Sequence, residues 1–174
     1  MDSIGSINKP LVQALVRPME EEDLETVMKI EHASFPTPWS PHAFYGELRD
    51  NDYARYFCLV HENQVIGYMG LWFILEEGHI TNVAIAPEFR GQRLGEFLMR
   101  TVMREMFEEG MERMTLEVRS TNISAQRLYE RLGFVTAGVR KGYYSDNRED
   151  ALIMWVELDS MGAKSRGGEG DHEF

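Results

Sequence analysis

An α/β fold with one hydrophobic core is predicted from three observations. Strand-like and helix-like stretches alternate along the chain in the order β α α β β β α β α β β. At the centre, a strand, a glycine-bearing turn, a helix, a second strand and a second helix form a βαβα run, expected to be right-handed. At 174 residues and 43% hydrophobic, the chain is long enough for one well-cored domain and short for two.

Residues 1–11 show no usable periodicity and are expected to be a loose leader, with the domain spanning 12–158. A first strand is expected from Val12 to Val16, closed by Arg17-Pro18. The acidic run Glu20-Glu21-Glu22-Asp23 suits the first turn of a helix, where negative charge complements the dipole. Leu24, Val27, Met28 and Ile30 give that helix its apolar side. The stretch FPTPWSP (35–41) is a rigid aromatic connection ending in Ser40-Pro41, an N-cap followed by proline at the first helical position. A short helix then runs to about Leu48.

Three strands in an antiparallel meander follow, with turns expected at Glu62-Asn63-Gln64 and at Glu77-Gly78. The third strand stops at Pro87. After the turn, the next helix ends at Gly110, a natural C-terminal cap. Met114, Leu116 and Val118 fall on one face of the next strand, and Thr115, Glu117 and Arg119 on the other. Ala125, Leu128, Tyr129 and Leu132 recur at helical spacing, and Gly133 ends that helix. Two strands around a turn at Asp146-Asn147 complete the domain. Residues 159–174 are Gly-rich and charged, with few apolar side chains, and are expected to be disordered.

A formal net charge of −11 argues against a nucleic-acid binder, which normally presents a basic surface. It mildly favours a cationic substrate or basic protein partner, and equally fits plain solubility. The one cysteine, Cys58, sits in the apolar run YFCLV and is expected to be a buried inert thiol. The histidines show no metal-ligand spacing, so no metal is expected. No apolar run is long enough to span a bilayer and no signal pattern opens the chain. A monomeric, cytoplasmic protein is expected.

VAIAPEFRGQRLG (83–95) is the stretch around which chemistry gathers. A strand that feeds a Gly/Arg turn onto a helix N-terminus presents unpartnered N–H groups and the positive end of a dipole to an anion. The turn lacks the Gly-Lys-Ser/Thr ending of a nucleoside-triphosphate loop and the spacing of a dinucleotide loop. Taken alone it is equally readable as a surface turn with two solvated arginines. Likewise Glu117 is readable as an ordinary polar strand residue, and Tyr129 as a core aromatic.

Three segments taken together carry a family resemblance. Val83-Ala84-Ile85-Ala86-Pro87, the turn Arg90 to Gly95, and LEVRSTNISAQRLYERLGF (116–134) resemble the GNAT acetyltransferase superfamily. Phe35-x-x-Pro38-Trp39-Ser40, the LEVR-x-x-N segment and Arg140-Lys141-x-Tyr143-Tyr144 with Glu149-Asp150-Ala151 resemble its ribosomal-protein-alanine N-acetyltransferase branch. The resemblance covers roughly residues 12–158. It implies a mixed, mostly antiparallel sheet of six to seven strands flanked by about four helices.

It further implies acetyl-CoA as co-substrate. Its pyrophosphate would rest on the turn formed by Arg90, Gly91, Gln92, Arg93, Leu94, Gly95 and Glu96, on the amides from Gln92 to Glu96. Its pantetheine arm would lie beside Val83, Ala84 and Ile85, with Asn122 close by, although Asn122 also reads as a simple N-cap. Glu117 matches the family's general base and Tyr129 its general acid, for direct attack of an amine on the thioester without use of Cys58. Arg93 stands where the family has its first glycine. That departure is tolerable if Arg93 has helical φ, with its side chain over the phosphates or solvent. Phe35, Trp39, Tyr143 and Tyr144 would wall the acceptor side, and Glu149 and Asp150 would either meet a cationic N-terminus or close a hairpin. The implied acceptor is the N-terminal segment of a small-subunit ribosomal protein. Acetylation of a small amine or lysine, or a non-catalytic CoA-binding module, stand as alternatives.

Overall fold

The predicted order of elements is the order observed. The computed structural model describes residues 13–159, so the leader, Val12 and the Gly-rich tail from 160 lie outside the described residues. Along the chain lie β1 (Leu15–Pro18), α1 (Leu24–Ser34), α2 (Pro41–Asp50), β2 (Ala54–His61), β3 (Gln64–Ile74), β4 (Glu77–Ile85), α3 (Leu94–Glu108), β5 (Arg113–Arg119), α4 (Ile123–Arg131), β6 (Val135–Arg140) and β7 (Ala151–Glu157). They build one seven-stranded sheet in the order β1-β2-β3-β4-β5-β7-β6. Every neighbouring pair is antiparallel except β4 and β5.

The core lies in two layers, one on each face of the sheet. On one face Leu94, Leu98, Met99, Val102, Met103 and Met106 of α3 pack against Leu59, Ile66, Leu71, Met114 and Leu116. On the other, Leu24, Val27 and Ile30 of α1 and Phe44 of α2 pack on Tyr56, Cys58, Val60 and Tyr68. The Cys58 thiol is fully buried, and burial pushes its pKa up to about 12, which leaves it unreactive.

Two local expectations need correction. β1 begins at Leu15 and contains Arg17 and Pro18 instead of ending before them. It is an edge strand, where the missing proline N–H removes no ladder bond that the sheet requires. The β3–β4 turn lies at Leu75-Glu76, before the expected Glu77-Gly78. Leu75 takes the left-handed conformation (φ 57°) and is 89% exposed. Gly78 belongs to β4, paired with Phe73 and Met114, and a Cβ there would meet Met111 Sδ at 2.5 Å. Its glycine serves close packing, not a turn.

Two irregularities around β4 prepare the site. The parallel pairing of β4 with β5 lasts only from Glu77↔Arg113 to His79↔Thr115, after which the strands part and leave the β4 edge open. Its register against β3 steps from Leu71↔Ile80 to Gly70↔Asn82, so Thr81 is an extra residue. Such a bulge re-aims the side chains beyond it.

Candidate active site

The wedge where β4 and β5 part holds two adjoining cavities. One, of about 390 Å³, is bordered by the end of α1, the 35–39 connection, Ile80 to Val83 and Leu116 to Arg119. The other, of about 560 Å³, is bordered by Val83 to Ile85, the 89–96 turn and α4. Ser34, Phe35, Val83, Asn122 and Tyr129 line both, so the two cavities meet at Tyr129.

Of the eleven residues expected to hold a cofactor, ten line the larger cavity: Val83, Ala84, Ile85, Arg90, Gly91, Arg93, Leu94, Gly95, Glu96 and Asn122. Gln92 does not. Arg93, the residue before α3, gives it no side-chain cap, and the first N–H drawn back to it is that of Phe97 (3.1 Å to the Arg93 carbonyl). The first-turn amides of Leu94, Gly95 and Glu96 therefore precede the helix's own bonding and point out of its N-terminus, as an anion requires. The condition set for tolerating Arg93, a helical φ, is not met. Its φ is +59°, left-handed, and Gly91 nearby has φ +80°. Arg93 thus occupies a conformation in which glycine is easier, because L side chains crowd the backbone there.

The Arg93 side chain leans toward Glu96 (3.5 Å) and stays half exposed. Glu96 also meets Arg100 (3.2 Å) and Arg131 (3.8 Å). Arg90 is committed locally: Nε donates to the Ile85 carbonyl (2.9 Å) and Nη2 to Ser34 Oγ (2.9 Å), tying the turn to the ends of β4 and α1.

Glu117 lies on β5 at the smaller cavity, with its side chain only 12% exposed. His79 Nε2 is 2.7 Å from one oxygen, and Arg140 approaches the other at 4.0 Å. The His79 hydrogen bond, against the cost of burial, holds this carboxyl below the usual range, so it is ionised at neutral pH. Tyr129 is the buried residue of α4, packed at a tilt against Phe134 (5.9 Å between ring centres, 57° between planes). Burial pushes its phenol up to about 12, so it stands protonated as a donor. Asn122 caps α4, its Oδ1 accepting from Ala125 N–H (3.2 Å), and also lines both cavities.

The aromatic wall is partly as expected. Phe35, Trp39 and Tyr144 line the smaller cavity, whereas Tyr143 does not. Arg119 stacks over Tyr144 at 3.9 Å and pairs with Asp146 (3.0 Å). Glu149 and Asp150 are both committed to protein donors, Glu149 on the β5–α4 connection and Asp150 within its own hairpin. Glu149 accepts from Thr121 N–H (3.0 Å) and Oγ1 (2.6 Å), and Asp150 from Gly142 N–H (2.9 Å) and Lys141 (3.0 Å).

Three site residues escaped the sequence reading. Glu31 is 2% exposed and borders the smaller cavity. It accepts from Trp39 N–H (3.0 Å) and from the Tyr68 hydroxyl. Burial raises its pKa, opposed by the Trp39 N–H and the nearby Asn82 amide. Asn82 is itself buried beyond the bulge, near enough to favour the Glu31 anion, while its amide nitrogen completes no hydrogen bond. His79 is the third. The legible signal was a charged residue on the apolar stripe of α1, seven residues after Leu24 and four after Val27.

Comparison with known proteins identifies the family. The model of the Acetyltransferase (GNAT) family matches residues 24–134. A Bacillus subtilis protein provisionally named a ribosomal protein bS18-alanine N-acetyltransferase is 46% identical over 146 residues, 84% of this chain and 97% of that protein. A Haemophilus influenzae protein named for the same activity is 34% identical over 146 residues, 81% of this chain and 97% of that one. The crystal structure of the ribosomal-protein-S18-alanine N-acetyltransferase from Escherichia coli superposes with a TM-score of 0.78 at 30% identity, covering 93% of this chain and all of that one (100%).

Proposed function

This chain belongs to the GNAT acetyltransferase family, and from that membership we propose that it acetylates the α-amine of the N-terminal alanine of a small-subunit ribosomal protein. The relatives' names support the substrate class. One observation supports the site: two cavities, one at a helix N-terminus and one beside a buried carboxylate, meet at Tyr129.

The larger cavity suits acetyl-CoA. Its phosphates would face the first-turn amides of α3 and the guanidinium of Arg93, and the unpaired edge of β4 at Val83 to Ile85 would hold the pantetheine amides. Acetyl-CoA supplies the thioester carbonyl that is attacked and the thiolate that leaves. The acceptor amine enters from the smaller cavity. An α-amine has a pKa of about 7.7–8.0, so roughly a fifth is already neutral near pH 7.3, whereas a lysine amine near 10.4 is neutral only to about one part in a thousand. An ionised Glu117, drawing the proton directly or through one water, is sufficient for the former and heavily burdened by the latter.

Tyr129, which lines both cavities, would meet the leaving sulfur. A phenol at about 12 passes its proton uphill to a thiolate of ordinary pKa near 8.5. It therefore acts chiefly by donating a hydrogen bond to the developing sulfur anion, a contact worth more in a buried site than in water.

A substrate panel with acetyl-CoA tests this reading. An Ala-starting basic peptide is expected to be acetylated in preference to its N-blocked counterpart and to free polyamines. Preference for the blocked peptide or polyamines would sink the assignment. Tight CoA binding without turnover of any of them would mean a binding module.

A further inference from the structure

We propose that His79 is a positioning residue for this transferase, holding Glu117 with one carboxylate oxygen turned to the acceptor cavity. The inference rests on the reading of Glu117 as base. His79 stands at the last closed rung of the β4–β5 pairing, opposite Thr115. Glu117 is two residues further along β5, on the same face and just past the parting of the strands. A contact of 2.7 Å between Nε2 and Oε2 needs a proton between the two atoms. With the carboxylate ionised, Nε2–H is the donor. That bond occupies Oε2. Oε1 is left with Arg140 at 4.0 Å, too long for a hydrogen bond, and so keeps its capacity for an incoming ammonium or water.

The ring that donates is itself held. Trp72 packs edge-on to His79 with ring centres 5.8 Å apart, and its Nε1–H donates to Glu47 on α2 (2.8 Å). Asn51 donates to the same oxygen (2.9 Å). The charged and titratable groups around the pair are therefore Arg140 with Tyr143 beside it (5.7 Å), Tyr144, which like Tyr143 feels the Glu117 charge, and Glu47 behind Trp72. His79 lines neither cavity, so it acts through Glu117 and does not touch substrate. A glutamate side chain has three rotatable bonds, and its carboxylate is useful to an incoming amine in only some of their settings. Locking one of them is how a supporting residue raises the fraction of productive encounters.

His79→Phe keeps the ring packing against Trp72 and removes the donor, and His79→Gln keeps a side-chain N–H. The phenylalanine variant is expected to lose about tenfold in kcat with the Ala-starting peptide, with acetyl-CoA KM and thermal midpoint little changed. The glutamine variant should recover to within about threefold of the parent. Because the His79 bond is the main influence lowering the Glu117 carboxyl, its loss should move the acid limb of the pH profile to higher pH. In a Glu117→Gln background His79→Phe should cost nothing further, since partners acting as a unit are non-additive. If the phenylalanine variant does not fold, His79→Leu serves with the same expectation. An unchanged kcat, a glutamine variant no better than phenylalanine, or a full tenfold loss in the Glu117→Gln background overturns the inference. A Glu117→Gln enzyme of undiminished kcat overturns the base assignment first, and the role of His79 with it.

Discussion

Glu31 shows how one residue can serve the fold and the site at once. It sits on the apolar stripe of α1, yet it is a carboxylate that ties Trp39 of the acceptor connection to Tyr68 in the sheet. Burial raises its folded-state pKa, so folding favours the protonated form. The corresponding stability is fully present below the unfolded pKa and is lost as pH rises through the raised folded value. Glu31→Gln is neutral at every pH and keeps an acceptor oxygen. Its thermal midpoint relative to the parent is therefore expected to improve as pH rises from the unfolded pKa through the raised folded value and to level off above it, and a pH-independent difference would mean that Glu31 is not strained by its charge. Tyr129 belongs at the same scale. Tyr129→Phe keeps the packing on Phe134 and loses only the hydroxyl, so kcat should fall more than tenfold with little change in acetyl-CoA affinity. An unaltered kcat removes Tyr129 from the mechanism.

At the scale of elements, the turn into α3 carries the clearest tension. Its amides are arranged for an anion, but the residue before the helix is a left-handed arginine. A non-glycine in that conformation costs about 1–2 kcal/mol, offset by the larger chain entropy that glycine loses on folding. Arg93→Gly is expected to stabilise the protein by about 0.5–1 kcal/mol, raising the thermal midpoint by about 2–4 °C per kcal/mol at this size. Acetyl-CoA affinity should move by less than about threefold. A tenfold gain in affinity would show that Arg93 obstructs the phosphate site. Existence and order of the elements were legible because periodicity and punctuation mark them locally. The β3–β4 turn was not, because Gly78 looks like a turn glycine until Met111 is folded against it.

Across the whole molecule, the negative charge is not evenly spread around the wedge. Arg90, Arg93 and Arg131 against Glu96 border the larger cavity, and Glu31, Glu117 and Asp146 against Arg119 the smaller one. The two sides thus suit a phosphorylated ligand and a cationic one. The sheet makes this possible by a single defect. Three rungs of β4–β5 pairing close one end, and everything beyond is open to ligands from either side.

The sequence by itself determined the alternation of elements, the family, and the grouping of Val83 to Glu96 with Asn122 and Tyr129, because those signals lie in short contiguous motifs. Tertiary structure decided what depends on residues far apart in the chain. It set the left-handed φ of Arg93, the commitment of Arg90 to Ser34 and of Glu149 to Thr121, and the exclusion of Gln92 and Tyr143 from the cavity linings. It also brought His79 to Glu117 across 38 residues, and Glu31 to Tyr68 across 37. Local chemistry writes a helix, a turn or a motif. Which polar side chain meets which inside the wedge follows from strand register and from where the pairing stops, and those are properties of the assembled sheet.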